Sequence, residues 1–281
     1  MKLYQTPQGI LLYHQDRYFL NTELAWDELV NQDNLLQKID EQFTKWEELK
    51  DGSELLHSNL LPPIGQQEVW ASGVTYYRSR DARMEESKEA GGGSFYDRVY
   101  DADRPELFFK ATAYRTVGHG DQVRIRKDSK WDVPEPELTL FINSSGTIQG
   151  YTIGNDMSSR SIEGENPLYL PQAKSYRGSC AIGPCLYVTD QPFSEDAEIH
   201  LTIRRGGEVA FRGETQVNQI KRKFNDLVSY LYREMDFLNG CYLMTGTGII
   251  PENNYSDIRF RYLSNIILNS QLEILTPICK I

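Results

Sequence analysis

Residues 131–140 read WDVPEPELTL, with Glu135 and Glu137 two apart and a proline before each. On an extended chain, side chains two apart share a face, so the two carboxylates project together. Like charges this close repel, and burying them unpaired is costly. Either both acids are solvated on a surface strand, or a divalent cation lies between them. Proline has no N–H for a sheet ladder, so a pair at a strand entrance stiffens it without requiring ladder bonds. Further on, YTIGND closes with Asp156. A hairpin from ELTLFIN through SSGT to GYTIGND runs antiparallel and returns Asp156 to the two glutamates. The alternative for Asp156 is an ordinary turn residue after Gly-Asn. Three converging carboxylates with no histidine form a hard oxygen donor set, suited to Mg²⁺ or Mn²⁺ rather than Zn²⁺.

Composition narrows the classes. The 281 residues carry a net charge of −10 and only four histidines, at 14, 57, 119 and 200. The negative charge argues against nucleic acid as a partner, because phosphate binding needs a basic surface. A small anionic substrate then needs a local cation. The few histidines, none near PEPEL, weaken a Ser-His-Asp triad or a His-rich zinc site. No apolar run approaches the ~20 residues that span a bilayer, and MKLYQTPQGILLYHQ has no signal-peptide core. The expected location is cytoplasmic, with no membrane partner. Cys180, Cys185, Cys241 and Cys279 form no C-x-x-C pair, so reduced thiols are expected.

The elements that must position these residues read as β-rich α+β. GILLYHQDRYFL suits a hairpin turning at 14–16. Leu35, Leu36, Ile39, Phe43 and Trp46 recur at helical spacing. LLPPIGQQ is a boundary, giving a small N-terminal subdomain over 1–64 and a main domain over 65–281. EVWASGVTY, ELFFKATAY, ELTLFIN, IQGYTIGND, CLYVT, EIHLTIRRGGEVAFRGET and LEILTPI read as strands, with RGGE as a hairpin turn. SRDARMEESKEA is helix-prone. KEAGGGSFYDRVYDADRP has few apolar residues and is expected as a lid over a site. FNDLVSYLYREMDFLNG places Phe224, Leu227, Val228, Leu231, Met235 and Leu238 on one face of a helix ended by Gly240.

WASGVTYYRSR, RPELFFKATAY, VPEPEL, YTIGNDMSSRSIEGENPLYLPQAKSYRGSCAIGP and TGTGIIP together resemble the fumarylacetoacetate hydrolase superfamily over roughly 65–281. IEGENPLYLPQAK and YDRVYDADRPELFFK are most similar to its group acting on 2-keto-3-deoxy-D-arabinonate. The resemblance implies a compact β-roll, a homodimer or higher homo-oligomer, and one Mg²⁺ held by Glu135, Glu137 and Asp156. It also implies an active-site lysine at Lys174, the dehydratase group's additional glutamate at Glu106, and a pocket contact from Thr247 in TGTG.

One departure bears on the reaction. The superfamily's C–C hydrolases carry a NYxxHxxE-like segment that activates water, whereas the corresponding stretch here, TYYRSRDARMEES, has no histidine. Arg78, Ser79 and Arg80 are expected to bind a hydroxy acid instead, the alternative being a solvated loop or helix start. Lys110 is a further candidate contact. SSR at 158–160 either orders the metal ligands from behind or is a plain loop.

The expected reaction is metal-dependent dehydration of a 2-keto-3-deoxy sugar acid to 2,5-dioxopentanoate through an enolate stabilised by the metal. Glu106 assists departure of the hydroxyl, and Lys174 orients a carboxylate oxygen. The competing readings are C–C hydrolysis or decarboxylation of acylpyruvate- or oxaloacetate-like acids, and a binding protein that keeps the pocket without chemistry.

Overall fold

The computed structural model describes residues 1–57, 60–78 and 93–251, with the backbone alone at 93–96 and in the strands at 262–269, 273–274 and 278–280. The chain opens with β1 (Lys2–Thr6), β2 (Gly9–His14) and β3 (Arg17–Asn21), then α1 (Trp26–Val30), α2 (Leu35–Gln42), β4 (Glu47–Leu49) and α3 (Glu54–His57). β5 (Glu68–Gly73), α4 (Gly93–Asp101), β6 (Glu106–Thr112), β7 (Thr116–Val117) and β8 (Asp132–Val133) follow. The middle holds β9 (Pro136–Ile142), β10 (Ile148–Asp156), β11 (Ser158–Ser159), α5 (Arg160–Glu165), α6 (Leu170–Lys174) and β12 (Cys180–Val188). β13 (Glu198–Arg205), β14 (Glu208–Gln216), α7 (Phe224–Leu231), β15 (Cys241–Met244), β16 (Tyr262–Asn269), β17 (Glu273–Ile274) and β18 (Ile278–Lys280) complete it.

An eleven-stranded sheet runs β4-β3-β2-β1-β12-β10-β9-β15-β5-β6, with β7 on β12, and a five-stranded sheet is built on β13, β14 and β16. The expected hairpin at 14–16 is present, its turn made by Gln15 and Asp16 at φ 51° and 58°. β9 and β10 are central, and every residue of β9 is buried. A strand covered on both faces needs apolar side chains on both, which is why LTLFI does not alternate. One face packs Leu138, Leu140 and Ile142 against Ile199 and Leu201 of β13 and Leu227, Val228 and Leu231 of α7. The other packs Phe141, Tyr242 and Leu186 against Trp26, Leu29, Leu35 and Ile39 of the N-terminal helices.

Two elements depart from the sequence reading. α2 ends at Gln42, and Phe43 lies in a short 3-10 turn with Trp46 beyond it, yet both stay buried. α7 ends at Leu231 rather than running to Gly240, and Leu238 is 84% exposed while Phe237 is buried. Phe237 packs edge-on to Trp70 and against Tyr232, at centroid distances of 6.2 and 4.9 Å. The inward residue is therefore set by a turn, not by helical periodicity. The stretch expected as a lid contains α4, and the carbonyls of Val99, near its end, and Ala102, just past it, accept from Arg222 at 2.8 and 2.6 Å. SRDARMEESKEA lies outside the described residues.

Candidate active site

The β9–β10 register places Glu137 opposite Gly154 and Pro136 opposite Asn155. At the open end, the Asp156 N–H donates to the Glu135 carbonyl at 2.9 Å. The Glu135 N–H is taken by the Asn155 side-chain oxygen at 3.2 Å rather than by a ladder carbonyl. The prolines on either side of Glu135 ask for no donor partner here, so the strand turns into its entrance without an orphaned N–H. One oxygen from each of Glu135, Glu137 and Asp156 lies within 4.8 Å of the others. All three residues are buried.

Cations stand behind this cluster. Lys174, last residue of α6, donates from Nζ to Glu135 Oε2 at 2.6 Å, Asp156 Oδ2 at 2.8 Å and Ser158 Oγ at 2.6 Å. Arg160, first residue of α5, reaches Glu135 Oε1 at 2.7 Å. Glu163, one helical turn on, lies 3.4 Å from Lys174 Nζ and 3.9 Å from Arg160 Nε. Glu137 accepts the Gly246 N–H at 2.6 Å. Burial holds the Glu137 carboxyl well above the ordinary glutamate range, and the charges of Asp156 and Glu135 push it further.

This donor set fits a hard divalent cation. The converging atoms are all carboxylate oxygens, and positive charge there would relieve the repulsion that raises Glu137. The cluster opens into a narrow cleft lined also by Gly73, Phe108 and Thr247. Lys174 Nζ stands 5.5 Å from the centre of the Phe108 ring.

The structure brings most of the sequence candidates to this cleft. Glu135, Glu137, Asp156, Lys174 and Thr247 line it. Glu106 opens β6 opposite Gly73, and its carboxylate packs where a side chain at 73 would stand: a Cβ there would lie 2.1 Å from Glu106 Oε2. Lys110 is fully buried and bonds to Asp156 rather than lining the cleft. Arg78 is exposed. Ser79 and Arg80 lie outside the described residues. SSR is more than a loop, since Ser158 and Arg160 both touch the cluster. Sequence reasoning passes over Glu163. Its signal was Arg160 and Glu163 one turn apart on a short helix beginning just after a ligand strand.

This β-rich fold and site place the chain in a known class. It belongs to the fumarylacetoacetate hydrolase family, whose C-terminal family model matches residues 77–255. The chain is 42% identical over 222 residues to the 2-dehydro-3-deoxy-D-arabinonate dehydratase of Saccharolobus solfataricus, covering 78% of this chain and 74% of that one. It is 49% identical over 195 residues to a probable 2-keto-3-deoxyxylonate dehydratase of Haloferax volcanii, covering 69% and 66%. Among solved structures, a 2-keto-3-deoxy-D-arabinonate dehydratase complexed with magnesium and 2,5-dioxopentanoate superposes with a TM-score of 0.84 at 33% identity. That match covers 100% of this chain and 98% of the other.

Proposed function

We propose that the protein is a hydro-lyase that dehydrates a 2-keto-3-deoxy sugar acid, 2-keto-3-deoxy-D-arabinonate to 2,5-dioxopentanoate, with Mg²⁺ on Glu135, Glu137 and Asp156. Mn²⁺ fits the same donors. The carrying observation is the buried carboxylate trio beside Lys174, in a chain similar to dehydratases of this acid class. A cation held there would supply Lewis acidity to the substrate's 2-keto group, which would acidify the C3 protons.

The chain's own residues do the rest. Lys174 and Arg160 hold the Glu135 carboxylate from both oxygens, which fixes the direction in which its remaining lone pairs face. Glu106 carries the proton that meets the departing C4 hydroxyl, so that C3–H and C4–OH leave as one water. The C3–C4 double bond then moves to C4–C5 as one proton leaves C5 and one is gained at C3, and the C5 enol takes a proton at C4 and releases its hydroxyl proton to become the aldehyde. Phe108 and Thr247 shape the wall against which the carbon chain lies, and Arg78, Ser79 and Arg80 supply polar contacts to the hydroxy acid. The absence of histidine in TYYRSRDARMEES and the dehydratase relatives favour this reaction over C–C hydrolysis or decarboxylation.

Residues 1–64 serve as a subdomain that backs the main domain at 65–281. Among the described residues, the cleft lining comes from 72 onward. A homodimer or higher homo-oligomer and a cytoplasmic location complete the reading, the first from family resemblance and the second from composition. Among the described residues, no helix is long and apolar enough to cross a membrane.

The test is chelator-stripped protein given 2-keto-3-deoxy-D-arabinonate with and without Mg²⁺, following 2,5-dioxopentanoate. Magnesium-dependent aldehyde is the expected result. Uptake of Mg²⁺ with no aldehyde would remove this substrate and leave the cation site standing. Glu106→Gln is expected to abolish turnover while keeping Mg²⁺ affinity, and full turnover in that variant would strip Glu106 of its role.

A further inference from the structure

Lys110 sits within β6 with its side chain wholly enclosed. Its ammonium meets Asp156 Oδ1 at 2.5 Å, donates to the Met157 carbonyl at 3.0 Å and bonds the Lys174 carbonyl. An ammonium has three donors and no acceptor; two go to these carbonyls, and the charge is paired with Asp156. With the side chain wholly enclosed, no face of the ammonium is open to a substrate.

The three acceptors are informative together. One belongs to a proposed cation ligand, one to the residue after it, and one to the lysine that grips the same ligand from its other oxygen. Asp156 is therefore held between two ammoniums, Lys110 at Oδ1 and Lys174 at Oδ2. The Lys174 carbonyl, at the end of α6, also accepts Ser179 Oγ at 2.7 Å, and Ser175 Oγ returns to the Phe109 carbonyl of β6 at 2.7 Å. One side chain thus joins strand β6, the end of β10 and the end of α6.

We infer that Lys110 is a positioning residue of the cation centre: it sets the plane of the Asp156 carboxylate and the backbone from which Lys174 extends, and it makes no substrate contact. This rests on the reading of Glu135, Glu137 and Asp156 as a divalent-cation site. Groups that orient metal ligands from behind typically govern affinity about 10–100-fold, because a ligand free to rotate must be ordered when the ion binds.

The experiment titrates MgCl₂ into chelator-stripped wild type and Lys110→Met by calorimetry, with kinetics at saturating Mg²⁺ alongside. The expected result is an Mg²⁺ dissociation constant raised about 10–100-fold, with the KM for 2-keto-3-deoxy-D-arabinonate at saturating Mg²⁺ held within about twofold. Unchanged Mg²⁺ affinity with a raised KM makes Lys110 a substrate contact and overturns the inference. Lys110→Ala with added n-propylammonium separates positioning from packing. Recovery of Mg²⁺ affinity with the ammonium but not with 1-propanol supports the inference, and recovery with both or neither overturns it. If neither variant folds, Lys110→Arg decides, since it keeps charge but not ammonium geometry: reduced Mg²⁺ affinity supports the inference and wild-type affinity overturns it. Wild type that takes up no Mg²⁺ overturns the cation reading itself, and this inference with it.

Discussion

The Gly246 N–H donates a 2.6 Å hydrogen bond to Glu137 Oε2, tying the TGTG segment to the carboxylate cluster. Gly246 adopts φ +92°, and a Cβ there would lie 2.0 Å from Thr75 Oγ1. Thr75 is itself fixed, donating to the Thr245 carbonyl at 2.7 Å. Both the backbone conformation and the space therefore require glycine. Gly246→Ala is expected to destabilise the fold by about 1–3 kcal/mol and to weaken Mg²⁺ binding, because relief of the clash moves the N–H off Glu137. Thermal unfolding and an Mg²⁺ titration check both. Wild-type affinity in a folded variant would show that this hydrogen bond does not hold the ligand.

Glu137 also makes a pH prediction. Burial, then Asp156 and Glu135, raise its carboxyl in the cation-free protein. A carboxyl whose folded pKa lies above its unfolded value of about 4.3 stabilises the fold at low pH, and that stabilisation is lost as pH rises through the folded pKa. The stripped protein should therefore lose stability with rising pH from this group, and Mg²⁺, competing with the proton, should restore it. Urea midpoints across pH, with and without Mg²⁺ and against Glu137→Gln, isolate the effect. Proton release on Mg²⁺ uptake is the accompanying signal. Mg²⁺ affinity independent of pH would sink the prediction.

Arg160 and Glu135 make the next. Arg160 is 2% exposed, and its guanidinium lies 2.7 Å from Glu135 Oε1. Removing one partner of a buried pair costs about 3–5 kcal/mol, and Lys174, still 2.6 Å from Glu135 Oε2, keeps the loss at the lower end of that range. Arg160→Met is expected to lose that much in urea unfolding without Mg²⁺, and less with it, since the cation takes over part of the compensation for Glu135. Equal losses in both conditions would mean that Arg160 acts on packing alone.

The unequal legibility of the site has a physical cause. Glu135, Glu137 and Asp156 could be read because their geometry is local: alternation on one strand, and a hairpin of matched arms, bring them together. Arg160 and Glu163 could not be ranked, because a charged residue near a turn is ordinarily solvated, and their burial depends on α5 closing against α6 and β8. Lys110 could not be placed for the same reason: a lysine in a strand carries no sign of which side of the cluster it faces. Most strands were legible from apolar runs and turn residues. The C-terminal end of α7 was not, because the apolar spacing persists past the point where the chain leaves the helix.

That misreading makes a sharp pair of predictions at adjacent positions. Continued helix would bury Leu238, yet Leu238 is 84% exposed and Phe237 is 7% exposed. The chain turns at Glu234, which takes φ 60°, and Phe237 then inserts between Trp70 and Tyr232. Truncating a buried phenylalanine removes transfer free energy and leaves a cavity, for about 3–5 kcal/mol. Phe237→Ala should lose stability on that scale, whereas Leu238→Gln should stay within about 0.5 kcal/mol of wild type. Both variants lie away from the carboxylate cluster and should keep wild-type Mg²⁺ affinity once folded. Chemical unfolding of the two side by side decides it. The reverse ranking, Leu238→Gln costly and Phe237→Ala mild, would restore the longer helix and overturn the turn at Glu234.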